Sequence, residues 1–430
     1  MKSGSKTRSD PAGISRRDLI RGGAQTVGAF GLLAAGSWLA PVVACATPSG
    51  ADGFGPLRPP DANGLMLPPG FSSRIVATSG SVVAGTSHTW HPNPDGGATF
   101  GTEDGGWVYV SNSETNFGLG GVSAIAFDAK GKIVNAYSIL TGTHQNCAGG
   151  PTPWNTWLSC EEVTGGRVYE CDPFAPGSQG ALATGLGTFK HEAAAVDPAN
   201  EKIYLTEDTR DGLLYRWRSR DFPDLQGGSL EVAEILDPDG LGPIAPGQTR
   251  ELNWHPVPES NPASGGIQNA VHLPIEERAT RYQVPAATSF NGGEGMWRRD
   301  HKIYFSTKSD NRVWVVNSKR NEIEIVYDLA TTPTPGLVNV DNVFAAKSGD
   351  VYVAEDPGAL RIVALTAEGF VKPMVRVRGQ ANTTEITGPA LSPDGSRLYF
   401  SSQRHPGQTF EVTGPFLGVG AAKAAEAALS

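Results

Sequence analysis

An internal repeat of about 47 residues constrains the fold of this 430-residue chain more than any other feature. Six segments share a short apolar stretch that contains an aromatic residue and ends in small or acidic residues. The shared aromatic residues are Tyr109, Trp157, Tyr204, Tyr304, Tyr352 and Tyr399. Neighbouring members lie 47 or 48 residues apart, except for one interval of 100 residues. Repeats of this length are typical of propellers and solenoids, in which each unit buries its apolar face against the next.

The residues around each shared aromatic predict antiparallel strands. Turn sequences such as Pro393-Asp394-Gly395 join an earlier apolar strand to the aromatic strand as a hairpin, and a third strand follows. We therefore predict an all-β fold, a six-bladed β-propeller over residues 70–415. An irregular array of β-sandwiches is the alternative. The long interval is rich in Pro and Gly and predicts an insertion at about residues 225–275, not a seventh unit.

The N-terminal residues 1–46 have the pattern of a signal peptide that is cleaved from the folded protein. A polar leader contains Arg16-Arg17, and an apolar run from about Ala24 to Ala44 follows. The paired arginines resemble the twin-arginine export signal of bacteria, a route that carries folded proteins. An ordinary secretory signal is the alternative. Either signal predicts a periplasmic or secreted protein.

The end of this leader leaves the form of the mature N-terminus open. Cys45 follows small apolar residues as in a lipobox, which would make it a lipid anchor, but the same residues fit simple cleavage. Residues 47–69 read as a flexible spacer, and residues 416–430 as a frayed C-terminal tail.

Charge and hydropathy restrict the partners. The net charge of −9, without a basic stripe, speaks against nucleic acid. No second apolar segment reaches spanning length, so the mature protein should have no transmembrane span. We expect a monomer that acts on a small molecule.

The repeat also predicts where chemistry would occur. The innermost strands of a propeller line a central channel, so residues beside them converge at one mouth. The candidate side chains next to the repeated strands are Asn112, Glu114, Cys147, Glu161, Glu162, His191, Glu192, Glu207, Asp208, Glu294, Asp341, Asn342, Glu355 and Asp356. Clustered carboxylates repel one another and therefore require cations or raised pKa values. Oxygen ligands suit Ca²⁺, whereas a thiolate or imidazole admits a transition metal. Taken singly, each acid could instead be a solvated loop residue.

Three cysteines remain in the mature chain, an odd number that cannot be fully paired. Cys147 lies ten residues before its shared aromatic, as Glu294 and Asn342 do, and should therefore point at the channel. A buried structural thiol is the alternative for Cys147. Cys160 and Cys171 could be buried thiols or a disulfide.

Three segments carry a resemblance to a known family. The stretches "NCAGGPTPWNTWLSCEE", "FKHEAAAVDP" and "YLTEDTRDGLLYRW" resemble the PhoX-type alkaline phosphatases, twin-arginine-exported bacterial enzymes. The resemblance implies a six-bladed propeller that hydrolyses phosphate monoesters with a cluster of Fe³⁺ and Ca²⁺. It also implies Cys147 as the iron-bridging ligand and, as further metal ligands, Glu162, Glu192, Glu207 and Glu294. With the acids and amide of the channel mouth, the candidate metal ligands are Glu114, Cys147, Glu162, Glu192, Glu207, Asp208, Glu294, Asp341 and Asn342.

Two motifs depart from that family. Asn112-Ser113-Glu114 stands where Asn-His-Glu is expected, and Gly292-Gly293-Glu294-Gly295 stands where Arg-Pro-Glu-Gly is expected. The missing arginine would hold phosphate oxygens bidentately. Arg210 or Arg404 could replace it from a neighbouring unit, so both are candidate phosphate contacts.

Two other functions fit the same pattern. A gluconolactonase-like lactonase or esterase would need a single divalent cation such as Ca²⁺, held by Glu294, Asp341 and Asn342, and would not need Cys147. A non-catalytic propeller, stabilised by metal, would bind a ligand without turning it over. Loss of activity on Cys147→Ala would distinguish an iron-dependent phosphatase from a calcium lactonase.

Overall fold

A computed structural model describes residues 54–263, 273–332, 336–366, 370–379 and 383–416. The predicted signal peptide, Cys45, the start of the spacer, part of the insertion and nearly all of the tail lie outside the described residues. Over the described residues, the chain forms short strands with almost no helix. The three short 3-10 helices are Thr184–Leu186, Ile275–Glu277 and Thr280–Tyr282. No helix in this part of the chain is long and apolar enough to cross a membrane.

The strands of the described residues form five antiparallel sheets. In hydrogen-bonded order, the first sheet contains Pro94–Gly101, Trp107–Ser113, Gly120–Phe127 and Ile133–Thr143. The second contains, in the same sense, Asn146–Pro151, Trp157–Glu161, Val168–Cys171 and Ala181–Leu182. The third contains His191–Asp197, Lys202–Glu207, Gly212–Ser219, Gly228–Ile235, Thr249–Pro256, Glu322–Asp328, Arg312–Asn317, Lys302–Thr307 and Gly293–Arg299, with Ser289–Phe290 beside Gly212–Ser219.

The last two sheets recruit strands from the start of the described chain. The fourth contains Val340–Ala345, Val351–Glu355, Arg361–Leu365, Val371–Val377 and Leu65–Met66. The fifth contains Ile386–Leu391, Arg397–Ser402, Gln408–Thr413 and Ser72–Thr78. Ser72–Thr78 pairs with Gln408–Thr413 along its length, so the two ends of the folded region complete one sheet.

Six strands, which we call the inner strands, contact one another in a closed ring. They are Pro94–Gly101, Asn146–Pro151, His191–Asp197, Gly293–Arg299, Val340–Ala345 and Ile386–Leu391. Each packs against the next, and the last packs against the first. The arrangement is therefore propeller-like, and the prediction of an all-β propeller is confirmed at that level. The number of blades stays a prediction.

Glycine lets the inner strands approach closely. A Cβ atom on Gly150 would lie 1.8 Å from the carbonyl oxygen of Ala194 on the next inner strand. A Cβ on Gly295 would lie 2.4 Å from the Cα of Asn342 on the strand after it. No side chain fits at these distances, which explains the Gly-rich sequence beside the candidate ligands.

The shared aromatic residues fill the space between neighbouring sheets. Tyr109 and Tyr399 stack with their ring centroids 5.1 Å apart, and both are fully buried. Trp157 packs with Phe100 and Val122 of the preceding sheet. Burial of these large side chains gives each sheet an apolar contact with the next, which is the physical origin of the repeat.

The three described cysteines are free and buried. Cys160 pairs with Val168, and Cys171 pairs with Trp157, on adjacent strands. Cys160 and Cys171 lie in different hydrophobic clusters because they face opposite sides of the sheet. Their geometry therefore corresponds to the alternative of two buried thiols and not to a disulfide.

Candidate metal centre

A shared β-bulge at the start of five inner strands directs side chains towards one mouth. In each, the first residue pairs with the second strand of its sheet, and the register then shifts. A bulge releases the next residue from the ladder and re-aims its side chain. The released residues, which we call the inner ring, are Asp95, Cys147, Glu192, Glu294 and Asp341. All five are buried.

A second set of side chains, which we call the outer ring, directly follows the second strands. Its members are Glu114, Glu162, Asp208, Lys308, Asp356 and Gln403. In all of these except Asp208, the backbone N–H donates to a carbonyl just before the inner strand, at 2.8–3.0 Å. This hydrogen bond fixes the backbone position of each of those residues beside the inner strand. The outer ring therefore lies beside the inner ring in sheet after sheet.

The two rings, together with Glu385 just before the inner strand Ile386–Leu391, bring ligand atoms together in four linked groups among the described residues. Within each group the ligand atoms lie within 4.8 Å of one another. The groups are Cys147–Glu162–Glu192, Glu192–Glu294–Asp341, Asp341–Asp356–Glu385 and Asp95–Glu114–Glu385. Because successive groups share Glu192, Asp341 and Glu385, they form one continuous acidic band around the mouth.

In the described part of the chain, three cationic side chains lie within this band, and each bridges two carboxylates. Lys190 Nζ lies 2.8 Å from Glu162 Oε1 and 2.7 Å from Asp208 Oδ2. Lys308 Nζ lies 2.7 Å from Glu294 Oε1 and 2.8 Å from Asp356 Oδ2.

Arg404 is the third cation. Its Nη2 lies 2.6 Å from Glu114 Oε2 and 3.0 Å from Glu385 Oε1. Carboxylates outnumber cations in the band, so a net negative charge remains if the acids are ionised.

Glu192 is a buried carboxylate without a hydrogen-bond or ion-pair partner among the described residues. It is fully buried, and neither carboxylate oxygen has a hydrogen-bond partner among the described residues. Burial, followed by repulsion from Glu162 and Asp341, raises its pKa well above the ordinary value. Buried polar atoms in native proteins almost always have partners. A cation at Glu192 would supply that partner, so this carboxylate fits a metal ion.

Hydrogen bonds to the backbone carbonyl oxygens of Cys147 and Ala148 fix the position of the Cys147 thiol beside Glu192. The side-chain amide of Asn112 donates to the carbonyl oxygens of Cys147 and Ala148, at 3.0 and 2.7 Å. Its oxygen accepts from Trp157 Nε1 at 2.8 Å and from the Ser159 hydroxyl at 3.0 Å. Burial, then nearby carboxylates, raise the pKa of Cys147. Metal ligation would instead favour the thiolate, since a coordinated thiol is deprotonated.

The sequence matches one protein family over just over half of its length. Residues 102–167 and 163–328 match the family described as alkaline phosphatase PhoX. The chain belongs to the PhoX family. No curated protein matches the chain.

Solved structures resemble this PhoX-family chain in fold. The structure of Pseudomonas fluorescens PhoX in complex with vanadate, a transition state analogue, is 18% identical with a TM-score of 0.68. That match covers 85% of this chain and 99% of the other. A gluconolactonase from Xanthomonas campestris is 10% identical with a TM-score of 0.42, and the match covers 85% and 99% of the two chains.

The structure brings most of the predicted ligands of this PhoX-family chain into the acidic band. Those within the four groups are Glu114, Cys147, Glu162, Glu192, Glu294 and Asp341. Asp208 adjoins them through Lys190. Among the arginines, Arg404 lies in the band, whereas Arg210 is exposed in the turn after Lys202–Glu207. Their roles as ligands and phosphate contacts stay predictions.

Two predicted ligands lie beside the band and bind protein groups. Glu207 accepts from Arg281 Nη1 at 2.9 Å and from the Tyr215 hydroxyl at 2.8 Å. Asn342 donates to Asp341 Oδ1 at 3.0 Å and accepts from the backbone N–H of Gly388 at 2.6 Å. Asn342 therefore orients Asp341 in this structure.

The sequence prediction missed Asp95, Glu385, Lys190 and Lys308. Asp95 lies in Pro94-Asp95-Gly96, which reads as a turn, and it is farther from its shared aromatic than Glu294 is from its own. Alignment on the starts of the inner strands, instead of on the aromatic residues, would have found Asp95.

Proposed function

We propose that this protein hydrolyses phosphate monoesters at a metal centre in the channel mouth. The observation that carries the proposal is the buried Cys147–Glu162–Glu192 group, in which both oxygens of Glu192 lack a partner within the described ranges. Membership of the PhoX family supports a phosphatase. The similar fold of Pseudomonas fluorescens PhoX, solved with vanadate as a transition state analogue, is consistent with phosphoryl transfer.

We infer that the sheets form six blades. The ten-stranded third sheet contains two four-strand meanders, which begin at His191 and Gly293 and are bridged by Thr249–Pro256. Division of that sheet at the bridging strand gives each inner strand a blade of its own. The closed ring of inner strands supports the same division.

The donor atoms suggest how metal ions would be distributed. Cys147, Glu162 and Glu192 offer a thiolate with two carboxylates, which suits iron. Glu192, Glu294 and Asp341 offer only oxygen, which suits Ca²⁺. When bound, such ions supply charge stabilisation and activation of water at neutral pH.

The chain itself would position the substrate. Arg404 side-chain exposure is 32%, and both of its ion pairs use Nη2. Its Nε and Nη1 atoms lie outside those pairs and can donate to phosphate oxygens. Arg404 is therefore the better candidate for the phosphate contact, since it belongs to the acidic band and Arg210 does not. Asn112 holds Cys147 in place, and the fully buried Glu192 keeps its carboxylate away from solvent.

The expected cellular setting follows from the N-terminal sequence. We propose export to the periplasm or beyond by the twin-arginine route, with or without a lipid anchor at Cys45. The substrate would then be a small phosphate ester outside the cytoplasm.

Elemental analysis of the exported protein, paired with p-nitrophenyl phosphate turnover on the same sample, tests this proposal. Iron with calcium and turnover is the expected result. Cys147→Ala should lose both iron and activity, whereas Cys160→Ala, a change to another buried thiol of the same sheet, should keep both. Bound metal without turnover would overturn the proposal, and calcium without iron, with activity unaffected by Cys147→Ala, would overturn the assignment of Cys147 to an iron site.

A further inference from the structure

Lys308 is the basic member of the outer ring, in which most of the equivalent residues are acids. Four other members are acids, namely Glu114, Glu162, Asp208 and Asp356, and the sixth is Gln403. The backbone N–H of Lys308 donates to the carbonyl of Gly292 at 2.8 Å, as in the equivalent positions other than Asp208. Its side chain therefore starts where the fold otherwise presents a potential metal ligand.

The ammonium of Lys308 lies at the junction of two acidic groups. Its contact Glu294 belongs to the group with Glu192 and Asp341, and its contact Asp356 belongs to the group with Asp341 and Glu385. Lys308 thus neutralises one acid from each group. Its own side chain is 33% exposed, so it reaches this position from the mouth.

Of the two carboxylates that contact Lys308, Asp356 keeps an unsatisfied atom. Asp356 is 7% exposed, and its buried Oδ1 has no hydrogen-bond partner in the described part of the chain. Glu294 is 1% exposed, and its Oε1 is paired with Lys308 Nζ at 2.7 Å. The ammonium therefore supplies charge at this point but not the full coordination that a metal ion would give.

We propose that Lys308 determines how many cations the mouth holds, because its ammonium excludes a divalent ion from the Asp341–Asp356–Glu385 group. The ammonium acts as a tethered cation against Asp356, and Arg404 does the same against Glu385. In each of the two groups that share Glu192 one member is ion-paired, whereas in each of the other two groups two members are, so metal binding is confined to the groups that share Glu192. This inference rests on the proposed metal centre.

Removal of the ammonium changes the ligand set in a defined way. Lys308→Gln frees Asp356 Oδ2 beside Asp341 and Glu385, whose ligand atoms lie within 4.8 Å of one another, so these three acids can hold one ion. Oxygen-rich sites of this kind bind Ca²⁺, with dissociation constants of about 10⁻⁴–10⁻³ M in extracellular modules. We expect Lys308→Gln to bind about one more Ca²⁺ per chain than the natural protein.

Equilibrium dialysis of the chelated full-length protein against Ca²⁺ alone measures this number. Lys302→Gln is the matched control, since Lys302 is the exposed first residue of the strand Lys302–Thr307, which Lys308 directly follows. It should leave the Ca²⁺ number unchanged, as should Lys308→Arg, which keeps the charge. Lys308→Met should gain the ion as Lys308→Gln does, and it serves as the neutral variant if the glutamine protein does not fold.

The outcomes separate this inference from the proposed function. A natural protein that binds metal, with folded neutral variants that bind no more Ca²⁺, would overturn the role of Lys308 and leave the metal centre intact. Failure of every protein to bind metal would overturn both. An equal gain in Lys308→Arg would also contradict the inference, because the charge would then not be the excluding feature.

Discussion

Replacement of Glu192 by glutamine is expected to stabilise the metal-free protein and to abolish its stabilisation by metal. Both oxygens of Glu192 are buried among like charges, without a partner in the described residues. A buried unsatisfied group of this kind costs about 1–3 kcal/mol, and more when it is charged. Glutamine has nearly the same size and no charge, and its amide can donate to the neighbouring carboxylates. The free energy of unfolding of the metal-free protein should therefore rise by about 2 kcal/mol.

The order of stabilities should reverse when metal is added. A ligand at a hundred times its dissociation constant stabilises a folded protein by about 2.7 kcal/mol. The natural protein should gain that amount, whereas Glu192→Gln should gain little because it lacks the shared carboxylate. Urea denaturation with chelator and with added metal measures both effects, and Glu103→Gln, at an exposed position, is the control. A variant that is less stable without metal, or equally stabilised by metal, would refute the reasoning.

Three further changes test other parts of the structure. Arg404→Gln should lower kcat/KM for a phosphate ester about tenfold to a hundredfold, because a charge-assisted hydrogen bond contributes about 1.5–3 kcal/mol. Unchanged steady-state kinetics would exclude a contact between Arg404 and the phosphate. Burial, partly offset by Lys190, raises the pKa of Glu162 to about 7 in the metal-free protein, so the folded chain binds this proton more tightly than the unfolded chain does. Its contribution to stability should therefore fall by on the order of 3 kcal/mol as the pH rises from about 4.5 to 7, and denaturation of Glu162→Gln should show a smaller pH slope. Gly150→Ala should destabilise the protein by about 3 kcal/mol, because the new Cβ would lie 1.8 Å from the Ala194 carbonyl oxygen. An unchanged midpoint of thermal unfolding would contradict this close packing.

The fold was predictable from the sequence because its packing is periodic. Tyr109, Trp157 and Tyr399 are buried between sheets in equivalent ways. Their spacing in the sequence therefore equals the spacing of the structural repeat. The doubled interval was less informative. There the strand Thr249–Pro256 pairs with one strand from each of two meanders, and the periodic pattern of the sequence does not predict that pairing.

The candidate site was predictable only in part because strand periodicity does not report bulges. Cys147 and Glu294 lie at the same distance from their shared aromatic residues and were identified as equivalent. Asp95 occupies the same bulge position but at a different spacing, so it was missed. Glu207 looked equivalent to other acids, yet its partner Arg281 comes from the long interval between the third and fourth shared aromatic residues. Long-range contacts of that kind depend on tertiary structure and leave no local signal.

The pairing of Ser72–Thr78 with Gln408–Thr413 has a consequence for the order of events during biosynthesis. Ser72–Thr78, the first long strand of the described residues, has no partner until Gln408–Thr413 has been made, so the ring cannot close before residue 413 has left the ribosome. Residues from the first, second and fifth sheets would then converge on the mouth only after synthesis. Assembly of any metal centre there would be a late, post-translational step, and truncation of the last strand should leave the acidic residues dispersed.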